Sequence, residues 1–367
     1  MYQRALLVAL VAVACKGTPA AGQGGGQMRS DDTLRLPPGF KIAVFAENLQ
    51  GVRFMTLGPG NAIYASQPGP GLIVKLTDAN HDGVADGAVT IASGLKGPFG
   101  IAFRGDTMYV GAESELIRFD PGARDPVRLM GLPGGGHSTR TIVFGPDGKL
   151  YVAVGSSCNL CDERDSMRAA VTQLNPNGSG GGGHVFAKGL RNTVGIAFNP
   201  KTGELWGGNN DRDNLGDDLP PEHINIIKDG RNYGWPQCYL PGKPNPEYGS
   251  ADCSNVEPPA ITVQAHSAPL GLAFYTGSQF PREYRGDAFV TLHGSWNRSV
   301  PTGAKVVRVE VDSGGHRAVG VDDFIVGWQR PDGKRWGRPV GLLVLPDGSL
   351  LVSDDLGGKI WRVSYGR

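Results

Sequence analysis

Seven polar residues fall where a short apolar run is about to begin or a turn has just closed: His137 and Arg140, Arg191 and Asn192, His266, Arg298, and Arg338. Their types define a chemistry before any fold is assumed. An imidazole titrates near neutral pH and can take or give a proton there. Guanidiniums repel one another, so several converging in a protein of balanced charge imply a polyanionic ligand that offsets the repulsion. Any single arginine could instead tie down the carbonyls of its own loop. The set as a whole argues for the ligand.

These residues share a frame. One phrase recurs along the chain: a Gly or Pro turn, three or four apolar residues, a Gly/Pro/Asp/Asn turn, then a short strand. Copies begin at Arg53, Gly100, Thr141, Gly195, Gly271 and Gly341. The copy at 141–152, Thr-Ile-Val-Phe-Gly-Pro-Asp-Gly-Lys-Leu-Tyr-Val, is the clearest. Asp-Gly supplies the positive φ of a hairpin turn, and β-branched and aromatic residues flank it, so each copy reads as a β-hairpin. Third strands are expected at 72–76, 116–119, 224–227, 305–309 and 359–363. Repeated antiparallel sheets of about four strands are the pattern of a β-propeller. The expectation is therefore an all-β, six-bladed β-propeller of four-stranded antiparallel blades, with the strand 40–45 joining the last blade to close the ring. Long insertions at 156–183 and 211–261 should form loops at the channel mouth, the place where the polar residues above converge.

Composition agrees. The 367 residues include Gly 57 and Pro 27, together roughly 23% against about 12% in an average protein, which excludes a mostly helical chain. With 40% hydrophobic and 19% charged residues the chain can bury a core and is not a disordered polymer. Lys+Arg 36 against Asp+Glu 35, a formal charge of +1, leaves no electrostatic footprint for nucleic acid.

Residues 1–15 read as a signal peptide: Arg4 precedes an apolar run too short to span a bilayer, and Ala12-Val13-Ala14-Cys15 resembles a lipobox with Cys15 as the lipidated residue. Residues 16–33 read as a flexible tether and 34–367 as a single propeller domain. The expected location is exported, periplasmic or cell-envelope, with membrane contact only through the N-terminal lipid. An oxidising compartment favours disulfides, here within each close pair, Cys158–Cys161 and Cys238–Cys253. His81, His184, His223 and His316 read as surface or loop histidines.

The stretches Gly136-His137-Ser138-Thr139-Arg140, Gly189-Leu190-Arg191-Asn192, Asn232-Tyr233-Gly234-Trp235-Pro236, His266-Ser267-Ala268-Pro269-Leu270-Gly271, His293-Gly294-Ser295-Trp296-Asn297-Arg298 and Gly337-Arg338-Pro339-Val340 resemble the sorbosone dehydrogenase and pyranose dehydrogenase branch of the soluble quinoproteins that use pyrroloquinoline quinone (PQQ). The resemblance runs over nearly all of 34–367. It implies a sugar dehydrogenase with a tricarboxylate ortho-quinone and calcium as cofactors, a small sugar as substrate and a separate electron acceptor. It implies His137 as general base and Arg140, Arg191, Asn192, His266, Arg298 and Arg338 as cofactor contacts, with His293 a further candidate at the mouth. It also places backbone oxygens of about Asp211 and Arg212 on the calcium. In the related glucose-oxidising branch a second arginine stands near Arg338, where this chain has Trp336.

Asp78, Asn80, Asp82 and Asp86 alternate oxygen-bearing side chains, with Gly83 after the third, as in the first half of an EF-hand loop. A structural calcium site and an Asx-rich hairpin turn both fit that pattern. Two other functions remain open on such a scaffold: a calcium-dependent, lactonase-like hydrolase, which needs several carboxylates at the channel centre, and a non-catalytic propeller that binds carbohydrate or protein.

Overall fold

The structure is a computed structural model that describes residues 32–366; the expected signal peptide, Cys15 and nearly all of the expected tether lie outside the described residues. Six four-stranded units surround a central axis. Blade one contains Met55–Leu57, Ile63–Gln67, Leu72–Thr77 and Gly87–Ala92; blade two contains Pro98–Arg104, Thr107–Ala112, Glu115–Phe119 and Val127–Gly131. Blade three contains Arg140–Phe144, Leu150–Val154, Ala170–Leu174 and His184–Lys188, with the short strand Arg231–Asn232 added in parallel outside it. Blade four contains Thr193–Phe198, Leu205–Asn209, Glu222–Ile227 and Ile261–Val263. Blade five contains Pro269–Phe274, Ala288–Leu292, Lys305–Val311 and Ala318–Ile325.

Blade six closes the ring. Its inner strands Pro339–Val344, Leu350–Asp354 and Lys359–Tyr365 come from the C-terminal end, and its outer strand Phe40–Ala46 from the N-terminal end, antiparallel with Ile42 opposite Val363. Phe40 anchors the closure edge-on to Phe280, Phe324 and Tyr365 at 4.8, 5.0 and 4.8 Å between ring centres. Such contacts add to the area they bury.

The glycine that heads the repeated phrase has a packing reason. A Cβ on Gly195 would lie 2.3 Å from the Leu270 carbonyl oxygen, and one on Gly341 would lie 2.3 Å from the Arg53 carbonyl oxygen. Inner strands of neighbouring blades therefore touch backbone to backbone at the mouth. The core is consequently a series of clusters between blades, for example Trp206, Leu272, Val290 and Val307 between blades four and five.

The insertions are partly regular. The segment expected as one loop over 156–183 includes the third strand of blade three, Ala170–Leu174, and the 211–261 segment carries the Cys238–Leu240/Lys243–Pro244 hairpin besides the expected third strand. Ala170–Leu174 was obscured because its Thr172 and Gln173 break the apolar pattern. Among the described residues no helix is long and apolar enough to cross a membrane.

Candidate active site at the channel mouth

His137 lies on the loop that enters the inner strand of blade three. Its backbone N–H donates to the Ser156 carbonyl at 3.0 Å, and its Nδ1 is 2.9 Å from the same oxygen and 3.0 Å from Ser156 Oγ. A carbonyl can only accept, so Nδ1 carries the proton and Nε2 keeps its lone pair. Burial, reinforced by the Arg191 cation and opposed by the Ser156 hydrogen bond, lowers the imidazole pKa from 6.5 to about 4. At neutral pH the group is an unprotonated acceptor.

Two buried arginines hold this loop. Arg140, 0% exposed, donates to the carbonyls of His137 (2.6 Å), Thr139 (2.8 Å) and Pro133. Arg168 donates to the carbonyls of Gly134, Gly135 and Gly155. These contacts give Arg140 the local role that any single arginine could have, tying down the carbonyls of its own loop, while its Nε is buried without a hydrogen-bond partner. Arg168 carried no sequence signal, because it lies outside the repeated phrase.

Arg191 is 4% exposed and fully engaged. Nε donates to the Asn159 carbonyl (3.0 Å), Nη1 to the Asp211 carbonyl (2.7 Å), and Nη2 to Asn159 Oδ1 (2.9 Å) and Asp213 Oδ2 (3.0 Å). The neighbouring Asn192 has a buried Oδ1 without a hydrogen-bond partner. A Cβ at Gly155 would come within 2.6 Å of both that oxygen and His137 Cβ, so glycine there leaves room for both side chains.

Across the mouth Asp355 gathers three groups: Arg338 Nε at 3.0 Å, Arg53 Nη1 at 3.0 Å and His293 Nε2 at 3.1 Å. Burial would raise the Asp355 pKa, but His293, Arg53 and Arg338 outweigh it and hold the carboxyl well below its usual range. His293 is lowered to about 4, chiefly by burial. The Nη atoms of Arg338 make no hydrogen bond within the described residues, and Arg53 Nε is buried without a partner. Arg53 begins the first copy of the repeat, just before its inner strand, and that place could have identified it. Asp355 follows a strand end and had no comparable signal.

His266 donates Nε2–H to the Gly216 carbonyl (2.8 Å) and accepts from Asn297 Nδ2 (3.3 Å), which also donates to Asp213 Oδ1 (2.8 Å). Arg298 turns away to the Asp217 carbonyl and Asp218 Oδ1, joining two loops. Trp336 is buried, donates Nε1–H to the Gly327 carbonyl at 2.8 Å and packs on Trp361; it is core, not a substitute at the mouth.

Behind the Asp211–Arg212 backbone lies a buried polar group. Glu222 Oε2 accepts the Asp211 N–H (2.7 Å) and Oε1 the Ala268 N–H (3.3 Å). Burial raises Glu222 to about 8 and Asp211 to about 6. Arg212 points outward to a two-pronged pairing with Glu247 at 2.5 and 3.0 Å. His223, expected at the surface, is instead 3% exposed on the third strand of blade four, and burial lowers its pKa to about 4. His223 shares its strand face with the buried Asn225 and Ile227, opposite Ile224 and Ile226, and both faces of this strand are covered, so its polarity did not reveal its place. His81, His184 and His316 are exposed.

The acidic loop is built as a turn. Asp78 accepts the N–H groups of Asp82 and Gly83, Asn80 that of Asp82, Asp82 that of Val84, and Asp86 that of Ala79. Both disulfides form within their pairs, Cys158–Cys161 and Cys238–Cys253. The only grouping of three His, Cys, Asp or Glu ligand atoms among the described residues, Cys158, Cys161 and Glu163, uses the sulfurs of a disulfide.

Residues 129–322 match the glucose/sorbosone dehydrogenase family model. An uncharacterized protein of Borreliella burgdorferi is 31% identical over 357 residues, 91% of each chain. A PQQ-dependent pyranose dehydrogenase of Coprinopsis cinerea is 26% identical over 90% of this chain and 54% of its own, so this chain matches about half of that protein. The holo structure of the PQQ domain of a C. cinerea pyranose dehydrogenase superposes with a TM-score of 0.77 at 23% identity, covering 92% of this chain and 98% of that one; the fold is the same six-bladed propeller. The chain belongs to the glucose/sorbosone dehydrogenase family.

Proposed function

We propose that this protein is a PQQ-dependent sugar dehydrogenase in which His137 is the proton acceptor. The observation that carries the reading is the His137–Ser156 pairing: Nδ1 is committed to a carbonyl and Nε2 is left as an unprotonated acceptor at neutral pH.

The residues present fit the cofactor. A tricarboxylate needs cationic donors, and Arg338 offers uncommitted Nη groups beside Arg53; the orphaned Asn192 Oδ1 marks a place for a polar group. Arg338, Arg53 and Asn192 would hold PQQ, with His266 and His293 lining the same mouth and Arg191, Arg140 and Arg298 acting through the loops they fix. Calcium belongs to the same reading, at the Asp211–Arg212 backbone, with the buried Asp211 and Glu222 carboxyls beside it. When bound, PQQ supplies an ortho-quinone that accepts hydride, and calcium supplies a Lewis acid.

His137 Nε2 takes the proton of the sugar hydroxyl as hydride leaves the same carbon. Ser156 keeps the ring in the tautomer that allows this, and burial, with the nearby Arg191 charge, keeps Nε2 unprotonated before substrate arrives. The described carboxylates of the mouth, Asp355 and Asp213, are spent on arginines and amides, which disfavours the hydrolase reading. Export with lipidation of Cys15 and an external electron acceptor complete the proposal.

The test is reconstitution of purified apo-protein with PQQ and calcium, followed by dye reduction with a panel of aldoses. Reduction that requires both quinone and sugar supports the proposal. Quinone binding without turnover would favour a binding propeller, and no quinone binding would remove the cofactor.

A further inference from the structure

Asn159 stands inside the Cys158–Cys161 disulfide loop and commits its carbonyl and both polar side-chain atoms to one network. Its carbonyl accepts from Arg191 Nε (3.0 Å) and Trp235 Nε1 (3.1 Å). Its Oδ1 accepts from Arg191 Nη2 (2.9 Å) and the Asp213 N–H (2.7 Å), and its Nδ2 donates to the Asp213 carbonyl (3.1 Å). One residue thereby fixes a buried guanidinium and pairs with both backbone groups of a residue 54 positions away. Through Arg191 Nη1 the network continues to the Asn210 and Asp211 carbonyls.

The same loop reaches the proton acceptor. Ser156 Oγ donates to the Cys158 carbonyl at 2.6 Å while its own carbonyl sets the His137 tautomer. The segment 156–161 therefore touches the acid–base group at one end and the wall proposed for the cofactor at the other. A loop this polar has little apolar surface to bury, so it needs another constraint to hold Asn159 in register, and the crosslink on either side of that residue supplies it.

We propose that Asn159 is a positioning residue, clamped by the Cys158–Cys161 disulfide, that holds Arg191 and the 210–213 backbone in the arrangement the cofactor binds. The proposal rests on the cofactor reading above for its ligand, but its geometric content concerns the apo-protein alone. Positioning groups of this kind matter because a site displaced by a fraction of an ångström loses much of its affinity.

The test uses the full chain with Asn159→Ala, Asn159→Asp and the double variant Cys158→Ser/Cys161→Ser. Amide hydrogen exchange of the apo-proteins is read at Asp213, and PQQ is titrated with calcium present. Asn159→Ala should keep a cooperative melting transition, exchange the Asp213 amide at least about tenfold faster, and raise the quinone Kd at least about tenfold. At saturating quinone its kcat should stay within about threefold, because His137 is untouched. Asn159→Asp retains oxygen acceptors for Arg191 and the Asp213 N–H but loses the Nδ2 donor to the Asp213 carbonyl, and should fall between wild type and Asn159→Ala in both readouts. The double serine variant should move both in the direction of alanine, and it carries the test if Asn159→Ala does not fold. Unchanged Asp213 exchange with unchanged quinone affinity would overturn the assignment, as would a loss confined to kcat. If the wild type itself binds no quinone, the cofactor reading fails, while the exchange data still decide whether Asn159 organises this wall.

Discussion

Acidifying the apo-protein should leave His137 unprotonated far below the pH at which an ordinary histidine charges. The ring is buried, lies near the Arg191 guanidinium, and gives its Nδ1 proton to the Ser156 carbonyl; the first two effects disfavour the cation and the third partly favours it, leaving a pKa of about 4 against 6.5. That difference is worth about 3 kcal/mol against protonation. Nitrogen-15 labelling of the histidines, with two-dimensional NMR through pH 3.5–8, reads both the titration and the tautomer. The expected His137 signals show Nδ1–H and unprotonated Nε2 throughout the neutral range, with charging only near pH 4. Ser156→Ala should change this little, since the backbone carbonyl sets the tautomer and survives the substitution. A ring that titrates near 6.5, or holds its proton on Nε2 at pH 7, would refute the reasoning. In the reconstituted protein His137→Ala should lower kcat by about 100-fold or more, the scale of general-base loss, with quinone affinity unchanged.

Arg338→Ala should weaken quinone binding by about 10- to 100-fold, since it removes charge-assisted contacts of about 1.5–3 kcal/mol; fluorescence titration of the apo-protein checks this. Arg140→Ala strands three loop carbonyls and should cost about 3 kcal/mol or more in urea unfolding. Buried His223 has a folded pKa of about 4 against 6.5 unfolded. The unfolded chain therefore takes the proton first as pH falls, so stability is full above pH 6.5 and declines toward pH 4. His223→Gln should remove about 2 kcal/mol of the stability difference between pH 7 and pH 5. Reducing Cys238–Cys253 should cost about 3 kcal/mol in the chain-entropy account, seen as a lower urea midpoint.

The inner hairpins were readable because each meets two demands at once: a Gly or Asp-Gly turn that needs positive φ, and a strand buried on both faces, as at Leu150–Val154. Apart from the closing strand at 40–45, the outer strands were not, because solvent lies against them; Gly87–Ala92 is exposed at every position but the last. At the site, His137, Arg191 and Arg338 stood out by residue type and by their place before an inner strand. What the sequence could not rank was direction. Arg140 and Arg338 occupy similar positions in the phrase, yet one faces its own loop and the other the mouth, a difference set by the carbonyls of Pro133 and Thr139 and by Asp355, 17 residues away. Asn159 was silent because its partners Arg191, Asp213 and Trp235 come from distant parts of the chain.

The central claim, that His137 removes the sugar's proton beside a bound quinone, is tested most directly by an anaerobic titration. Wild-type and His137→Ala proteins are each loaded with one equivalent of PQQ and calcium, mixed with an aldose the wild type oxidises, and followed by the absorbance of the oxidised quinone. The account predicts rapid loss of that absorbance in the wild type and a rate about 100-fold or more slower in His137→Ala at equal quinone occupancy. Equal rates in the two proteins would contradict it.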